Sequence, residues 1–324
     1  MFVLSPYLYI YYTYPLIYVY SSEKKEFAFI SKIVKVIILM IAIKTICWVA
    51  YSRLGVTLLS DLTFQYENWN RNGTLRIDGG CLLGFAFAYI WSSSYIKDTV
   101  KRRIISVLIL CFVFFVTQYR FQAISLCVTI FSCYWLSSDG KSDRKTRKFI
   151  GVLAILLFII LGGASYILDS FSAEGVYGGS TIVRIQTISH YWDLLIENKA
   201  IFGLGMLNQG NAICYSMMRR TTQWGLDSLY YLADIGILGG FFQFGSLAIP
   251  LYGLLFGHGW KTLKLCQSLN MHYESLIVGA LMSYMFFSNF ALNFFDIQRA
   301  FGLPFLLSII SYLYGKCLAK KNNQ

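Results

Sequence analysis

Apolar residues in this chain fall in long, nearly unbroken runs, not in the one-sided stripes of a soluble helical core. Runs at 33–50, 104–116, 149–168 and 276–295 approach the ~20 residues an α-helix needs to cross a bilayer. Charged residues are largely confined to short segments between the runs. The pattern predicts about nine spans, near 2–20, 33–51, 80–96, 104–118, 121–137, 149–168, 228–256, 273–295 and 301–315. No soluble domain separates them, so residues 1–324 read as a single membrane domain. The expected fold is all-α: a polytopic transmembrane helix bundle with two long outer segments, 52–79 and 169–227, the second carrying an amphipathic helix.

Composition agrees, with 56 % hydrophobic residues, 14 % charged residues and a mean hydropathy of +0.55. Residues 1–20 lack both a basic leader and a small-residue cleavage site, and so read as a retained span. The eight cysteines follow no metal-ligand or disulfide spacing and read as packing residues.

The net charge of +12 is explained by topology. If 21–32 is cytoplasmic, the alternate segments 97–103, 138–148, 257–272 and 316–324 are cytoplasmic too. With Lys35 they hold 18 of the 28 lysines and arginines, as the positive-inside rule requires. Basic loops facing anionic lipid account for the charge, and no nucleic-acid partner is called for.

The kind of cation differs between the two sides. Inside, 14 of the 18 are lysine; outside, eight of nine are arginine, namely Arg53, Arg71, Arg76, Arg120, Arg184, Arg219, Arg220 and Arg299. Lysine would serve equally well as a topological signal. Guanidinium instead forks onto phosphate oxygens through paired hydrogen bonds and keeps its charge in a partly dry site. The sorting points to phosphate on the outer side, with arginines snorkelling at the interface as the alternative.

Within 169–227 the spacing predicts a helix over 181–197. Gln186, His190, Asp193 and Glu197 form one polar stripe, while Arg184 projects nearly opposite, beside Ile188, Tyr191 and Leu195. His190 reads as structural or solvent-exposed, whereas an arginine aimed at the protein or membrane side is a candidate functional group. Next comes Gly203-Leu204-Gly205, a turn that permits positive φ and close backbone approach. Asp227, Tyr231 and Asp234 then fall at helical spacing, which predicts two carboxylates and a phenol on one face of an entering span. The alternatives are an N-cap for Asp227 and a buried pairing with arginine for Asp234. Arg120 lies in a hairpin with almost no loop, in Thr117-Gln118-Tyr119-Arg120. Arg76 precedes another span in a similar way, with Asp78 as a plausible partner.

The order of these elements resembles the O-antigen polymerase and ligase superfamily. The elements are Arg76 with Gly79 and Gly80, Arg120 at a span's outer end, Arg184 on an outer helix, Gly203 and Gly205, then Asp227 leading into a span with Gly236 and Gly239. The similarity covers residues 75–245, and Asp227-Ser228 stands where ligases of the family usually carry His-Asn. The resemblance implies a metal-independent membrane glycosyltransferase without cofactor, in the bacterial cytoplasmic membrane. It would polymerise undecaprenyl-diphosphate-linked oligosaccharide units at the outer face. Arg76, Arg120 and Arg184 would bind the diphosphate, and Asp227, or next Asp234, would act as base. Membrane lipid and a chain-length regulator protein are the implied partners. A ligase acting on the finished glycan and a lipid-linked sugar flippase or transporter are the alternatives.

Overall fold

The computed structural model describes residues 9–22, 27–59, 76–96, 99–137, 178–205, 207, 210–221, 227–291, 293–295 and 300–324. The expected span at 149–168, most of the segment 52–79, Arg71 and Arg299 lie outside the described residues. The chain divides into two compact units. One comprises Met1–Ile10, Ser138–His258 and Ser288–Leu303; the other comprises Tyr11–Ser137, Gly259–Phe287 and Pro304–Gln324.

The described residues are helical apart from one short antiparallel strand pair. Three helical stretches are long and apolar enough to cross a membrane: Ala28–Leu54, Ile237–Ser268 with an internal break, and Ala300–Asn322. They match the expectations at 33–51, 228–256 and 301–315, although the second begins nine residues later than its expected start. Two other expected spans hold helices shorter than a ~30 Å hydrocarbon core at 1.5 Å per residue. The helix within 80–96 has 11 residues and that within 121–137 has 17.

The unit beginning at Tyr11 opens with α1 (Thr13–Ser22), α2 (Ala28–Leu54), α3 (Leu83–Ser93), α4 (Thr99–Phe112) and α5 (Arg120–Leu136), and takes in the last two helices of the chain. Helix α3 is buried on nearly every side, from Leu83 to Ile90, and packs against α2, α4 and α5. Gly84 makes room there for the ring of Tyr284, and Phe85 meets Phe305. Helix α3 ends where Ser92, Ser93 and Ser94 turn their hydroxyls back onto the carbonyls of Tyr89, Ile90 and Trp91, offering the backbone an exit from the helical ladder. At the head of α2, Phe27 takes a left-handed φ of 62°. That strained conformation is held by edge-on contacts with Tyr89, Tyr273 and Tyr312.

The other unit contains α6 (Gly178–Glu197), α7 (Ala212–Met218), strands β1 (Arg219–Thr221) and β2 (Asp227–Leu229), a 3-10 turn at Leu232–Ile235, and α8 (Ile237–Phe244). A second 3-10 turn, Gly245–Leu247, leads into α9 (Ala248–Ser268). Helices α10 (His272–Ser288) and α11 (Leu303–Asn322) belong to the Tyr11 unit and not, but for their end residues Ser288 and Leu303, to this unit. The core of this unit is Tyr191, Leu232, Ile235 and Phe242, with Ile188, Leu195 and Leu204 against it.

The long helix breaks at Gly245, and the Gly203-Leu204-Gly205 turn closes the break. Leu204 N–H donates to Phe242 O (2.8 Å), Gly205 N–H to Gln243 O (3.0 Å), and Ser246 N–H to Ile201 O (2.9 Å). Backbone crosses backbone so closely that a Cβ on Gly203 would strike the main chain of Gln243, and one on Gly245 the main chain of Ile201. Both residues also hold positive φ, 82° and 56°. The close approach expected of the glycines is therefore real, and its partner is the broken helix.

Behind the break lie buried amides. Asn293 Nδ2 donates to Gln243 Oε1 (2.9 Å), and Asn293 Oδ1 accepts from the backbone N–H of Phe295 (3.0 Å). All eight cysteines are free. Cys266 and Cys317 lie buried with their sulfurs 3.0 Å apart beside Met271, a pairing that a separation of 51 residues hid from spacing rules.

Gly203→Val and Gly245→Val are expected to lower unfolding stability by ~3 kcal/mol or more, since main chain must move in each. Gly253→Ala, where a Cβ meets nothing within 4 Å, should be neutral or gain up to about 1 kcal/mol. Thermal unfolding of the purified protein in detergent measures both.

Candidate functional site

In the Tyr11 unit an interruption in helix geometry sets Arg76 against the residues that immediately precede Arg120, both arginines being expected at span ends. Helix α4 loosens into a π turn over Val113–Thr117. Gln118 closes the turn at a left-handed φ of 53°, its N–H donating to Val113 O (2.9 Å). Tyr119 is extended and α5 begins at Arg120. Turns of this kind and non-glycine residues at positive φ concentrate at functional sites, because something outside the turn must hold them.

Here the holding is done by residues 76–80. Ile77 N–H donates to Val116 O (3.2 Å), and Arg76 Nε–H donates to Thr117 O (3.0 Å). The Arg76 guanidinium carbon also lies 4.6 Å from the centre of the Tyr119 ring, a cation–π contact. Arg76 is buried, at 9 % exposure, while Arg120 is half-buried at the head of α5. On the other side, Lys44 of α2 donates to the Asp78 carbonyl at 2.5 Å. Asp78 itself is exposed, and the described anchor of Arg76 is the Thr117 carbonyl, not the Asp78 carboxylate expected from proximity in sequence. Lys44, part way along the apolar α2, thus joins Arg76 along the same short stretch of backbone.

Such a cluster attracts anions on two counts. The partial positive charge of a helix N-terminus falls at Arg120, and a guanidinium fixed in plane by a carbonyl and a ring is oriented before any ligand arrives.

In the other unit, Arg184 is half-buried on the face of α6 that carries Thr187, Ile188 and Tyr191, all buried or partly so. Gln186, Asp193 and Glu197 are exposed. The expected division of this helix therefore holds, except at His190. That ring is partly buried, its Nε2 2.7 Å from Met217 O, and it packs 4.9 Å from the centre of Tyr230. Tyr191 donates its hydroxyl to Tyr230 O at 2.7 Å, and burial pushes its phenol well above its ordinary value. His190 and Tyr191 together anchor the base of the strand pair, where Tyr230 N–H also donates to Met218 O (2.9 Å).

That strand pair corrects the sequence reading of 227–235. Asp227, Tyr231 and Asp234 do not share a helix face. Asp227 lies in β2 opposite Thr221 of β1, Arg220 stands opposite Ser228, and Arg219 opposite Leu229. Asp234 sits in the 3-10 turn and is exposed, as is Tyr231. The helical spacing lost to strand pairing because the carbonyls of Met217 and Tyr230, at the base of the pair, are taken by the side chains of His190 and Tyr191. Asp227 is therefore no helix N-cap, and Asp234 is no buried carboxylate; the side chain of Asp227 lies outside the described residues. The pairing adds Arg219 and Arg220 to the surroundings of Asp227, which separation along the chain had concealed. The β-branched Thr221-Thr222 pair ahead of Gly225 was the available signal.

Comparison with family models, with curated proteins and with solved structures found no match to this chain.

Arg76→Gln is expected to lower stability by ~1–3 kcal/mol through loss of a buried, charge-assisted bond. Asp78→Asn, at an exposed carboxylate, should change it by less than ~0.5 kcal/mol. Chemical denaturation followed by intrinsic fluorescence distinguishes the two.

Proposed function

We propose that this chain is a membrane glycosyltransferase that polymerises undecaprenyl-diphosphate-linked oligosaccharide units at the outer face of the bacterial cytoplasmic membrane. The observation that carries the reading is the π turn at Val113–Thr117: a buried Arg76 is held by Thr117 O and the Tyr119 ring, and Arg120 heads the helix that follows. The bias to arginine on the outer side and the resemblance in motif order support it.

In the proposed reaction an acceptor hydroxyl of one lipid-linked unit attacks the anomeric carbon of another. A new C–O bond forms, the bond from that carbon to the diphosphate oxygen breaks, and the lipid diphosphate leaves with the electron pair. Negative charge grows on the departing phosphates, and fixed guanidinium groups stabilise it without reorganising. Arg76 and Arg120 serve this role, with Arg184 as the third diphosphate-binding arginine. Asp227 is the first candidate to take the hydroxyl proton and Asp234 the second. Asp227 lies in β2 paired with the segment that begins at Arg219, and it serves either as that base or by orienting the acceptor hydroxyl while the proton leaves on the diphosphate.

A transporter reading draws on one observation, the break at Gly245 beside the buried Gln243 and Asn293. Broken helices in transporters offer their freed carbonyls to cargo or coupling ions. The carbonyls of Phe242 and Gln243 accept instead from Leu204 and Gly205, which favours the enzyme.

Purified protein in liposomes given one lipid-linked repeat unit is expected to yield a ladder of lengths on the carrier. Arg120→Lys keeps the charge and loses the fork, and should slow the ladder by roughly 10²-fold. Transfer to another acceptor without lengthening would indicate a ligase. Sided movement of the glycolipid without a new glycosidic bond would indicate transport, and undiminished polymer length with Arg120→Lys would overturn the diphosphate role.

A further inference from the structure

Helix α6 has three faces, not two. At ~100° per residue, Arg184, Thr187, Ile188, Tyr191 and Leu195 share the arc turned into the core, and Gln186, Asp193 and Glu197 share an exposed polar arc. Between them runs a third arc, Ile182, Ile185, Trp192 and Ile196, large and apolar yet 40–59 % exposed. A helix bathed only in water would not carry such a stripe next to its charged one.

The stripe continues onto the long helix of the same unit. The Trp192 ring stacks at 6.4 Å and 20° on Phe241 of α8, and Leu238, one turn earlier on α8, is exposed. At the break, Ile201 and Phe202 are about 70 % exposed (70 % and 69 %) although their backbone is tied to Ser246 and Gly245. Beyond it, Leu247 and Ile249 are exposed as well. The apolar surface of α6 is thus an extension of the surface that the Ile237–Ser268 stretch, long and apolar enough to cross a membrane, would present to lipid.

We infer that α6 lies along the bilayer boundary, with Ile182, Ile185, Trp192 and Ile196 among the lipid acyl chains and Gln186, Asp193 and Glu197 in water. The partner is the bilayer itself. Continuity with the span argues for lipid over a protein cap: Trp192, at the core-side edge of the apolar arc, joins that arc to Phe241 of the span. In this position the helix meets protein, lipid and water on three sides. Arg184, on the core-facing side, is set at headgroup depth without being inserted into hydrocarbon.

The test places an environment-sensitive fluorophore on Ile185→Cys, Ile196→Cys or Glu197→Cys in the full chain in vesicles, with the parent protein's own labelling subtracted. Nitroxide on the lipid acyl chains should quench the labels at positions 185 and 196 about twofold or more beyond the label at 197, and aqueous iodide should give the reverse order. Equal iodide quenching at all three positions would overturn the inference in favour of water. Protection of 185 and 196 from both quenchers would overturn it in favour of a covering protein. Ser189→Cys, on the same arc and already polar and exposed, gives the same readout if the isoleucine variants do not fold. No turnover is measured, so failure here leaves the glycosyl-transfer reading untouched.

Discussion

In a bilayer interior no water is at hand to satisfy a backbone N–H or C=O, so every departure from helix must be matched by another part of the protein. Three interruptions among the described residues show such matching. At the break after Phe244, the carbonyls of Phe242 and Gln243 receive the N–H groups of Leu204 and Gly205. After α10, the N–H groups of Phe294 and Phe295 are met by the side-chain oxygens of Asn289 and Asn293, and Asn293 N–H reaches Ala233 O. At the π turn, Val116 O and Thr117 O accept from Ile77 and Arg76. At each of the three interruptions at least one partner is distant in sequence, and after α10 local asparagine side chains add to it.

The same constraint explains where polar chemistry can reside. A buried amide or guanidinium is costly unless hydrogen-bonded, and a helix interruption supplies free carbonyls to bond it. Gln243 and Asn293 are buried next to the Gly245 break, and Arg76 is buried next to the π turn. Lys44, part way along an apolar helix, finds the Asp78 carbonyl in the irregular stretch 76–80. The polar groups in these places are therefore part of the fold as well as candidates for function.

What was legible in the sequence follows the range of the interactions. The long helices Ala28–Leu54 and Ala300–Asn322 were readable because runs of apolar residues suffice to define them. The inward face of α6, with Arg184 beside Ile188 and Tyr191, was readable from local periodicity. The β1–β2 pair was not, because Asp227, Tyr231 and Asp234 keep helical spacing while Tyr191, 39 residues from its acceptor Tyr230, helps fix the extended backbone. The apolar arc of α6 was also missed. A stripe of polar residues signals one exposed face, but sequence alone does not separate an apolar face that meets protein from one that is left outward.

The interruption at Val113–Thr117 also bears on why arginine, and not lysine, occupies position 76. A lysine there could reach the Thr117 carbonyl, but its single rotating ammonium would have no preferred plane. Guanidinium donates through Nε to Thr117 O and lies over the Tyr119 ring, so two contacts fix both its position and its orientation. Electrostatic stabilisation of a leaving diphosphate depends on dipoles and charges already aimed before the bond breaks. In the proposed reaction, a helix distorted into a π turn, closed by a left-handed Gln118 and braced by a second segment, would supply that aim in advance. Straight helices meeting at a flexible loop would leave the same two arginines free to reorganise as charge developed, and much of the stabilisation would be lost.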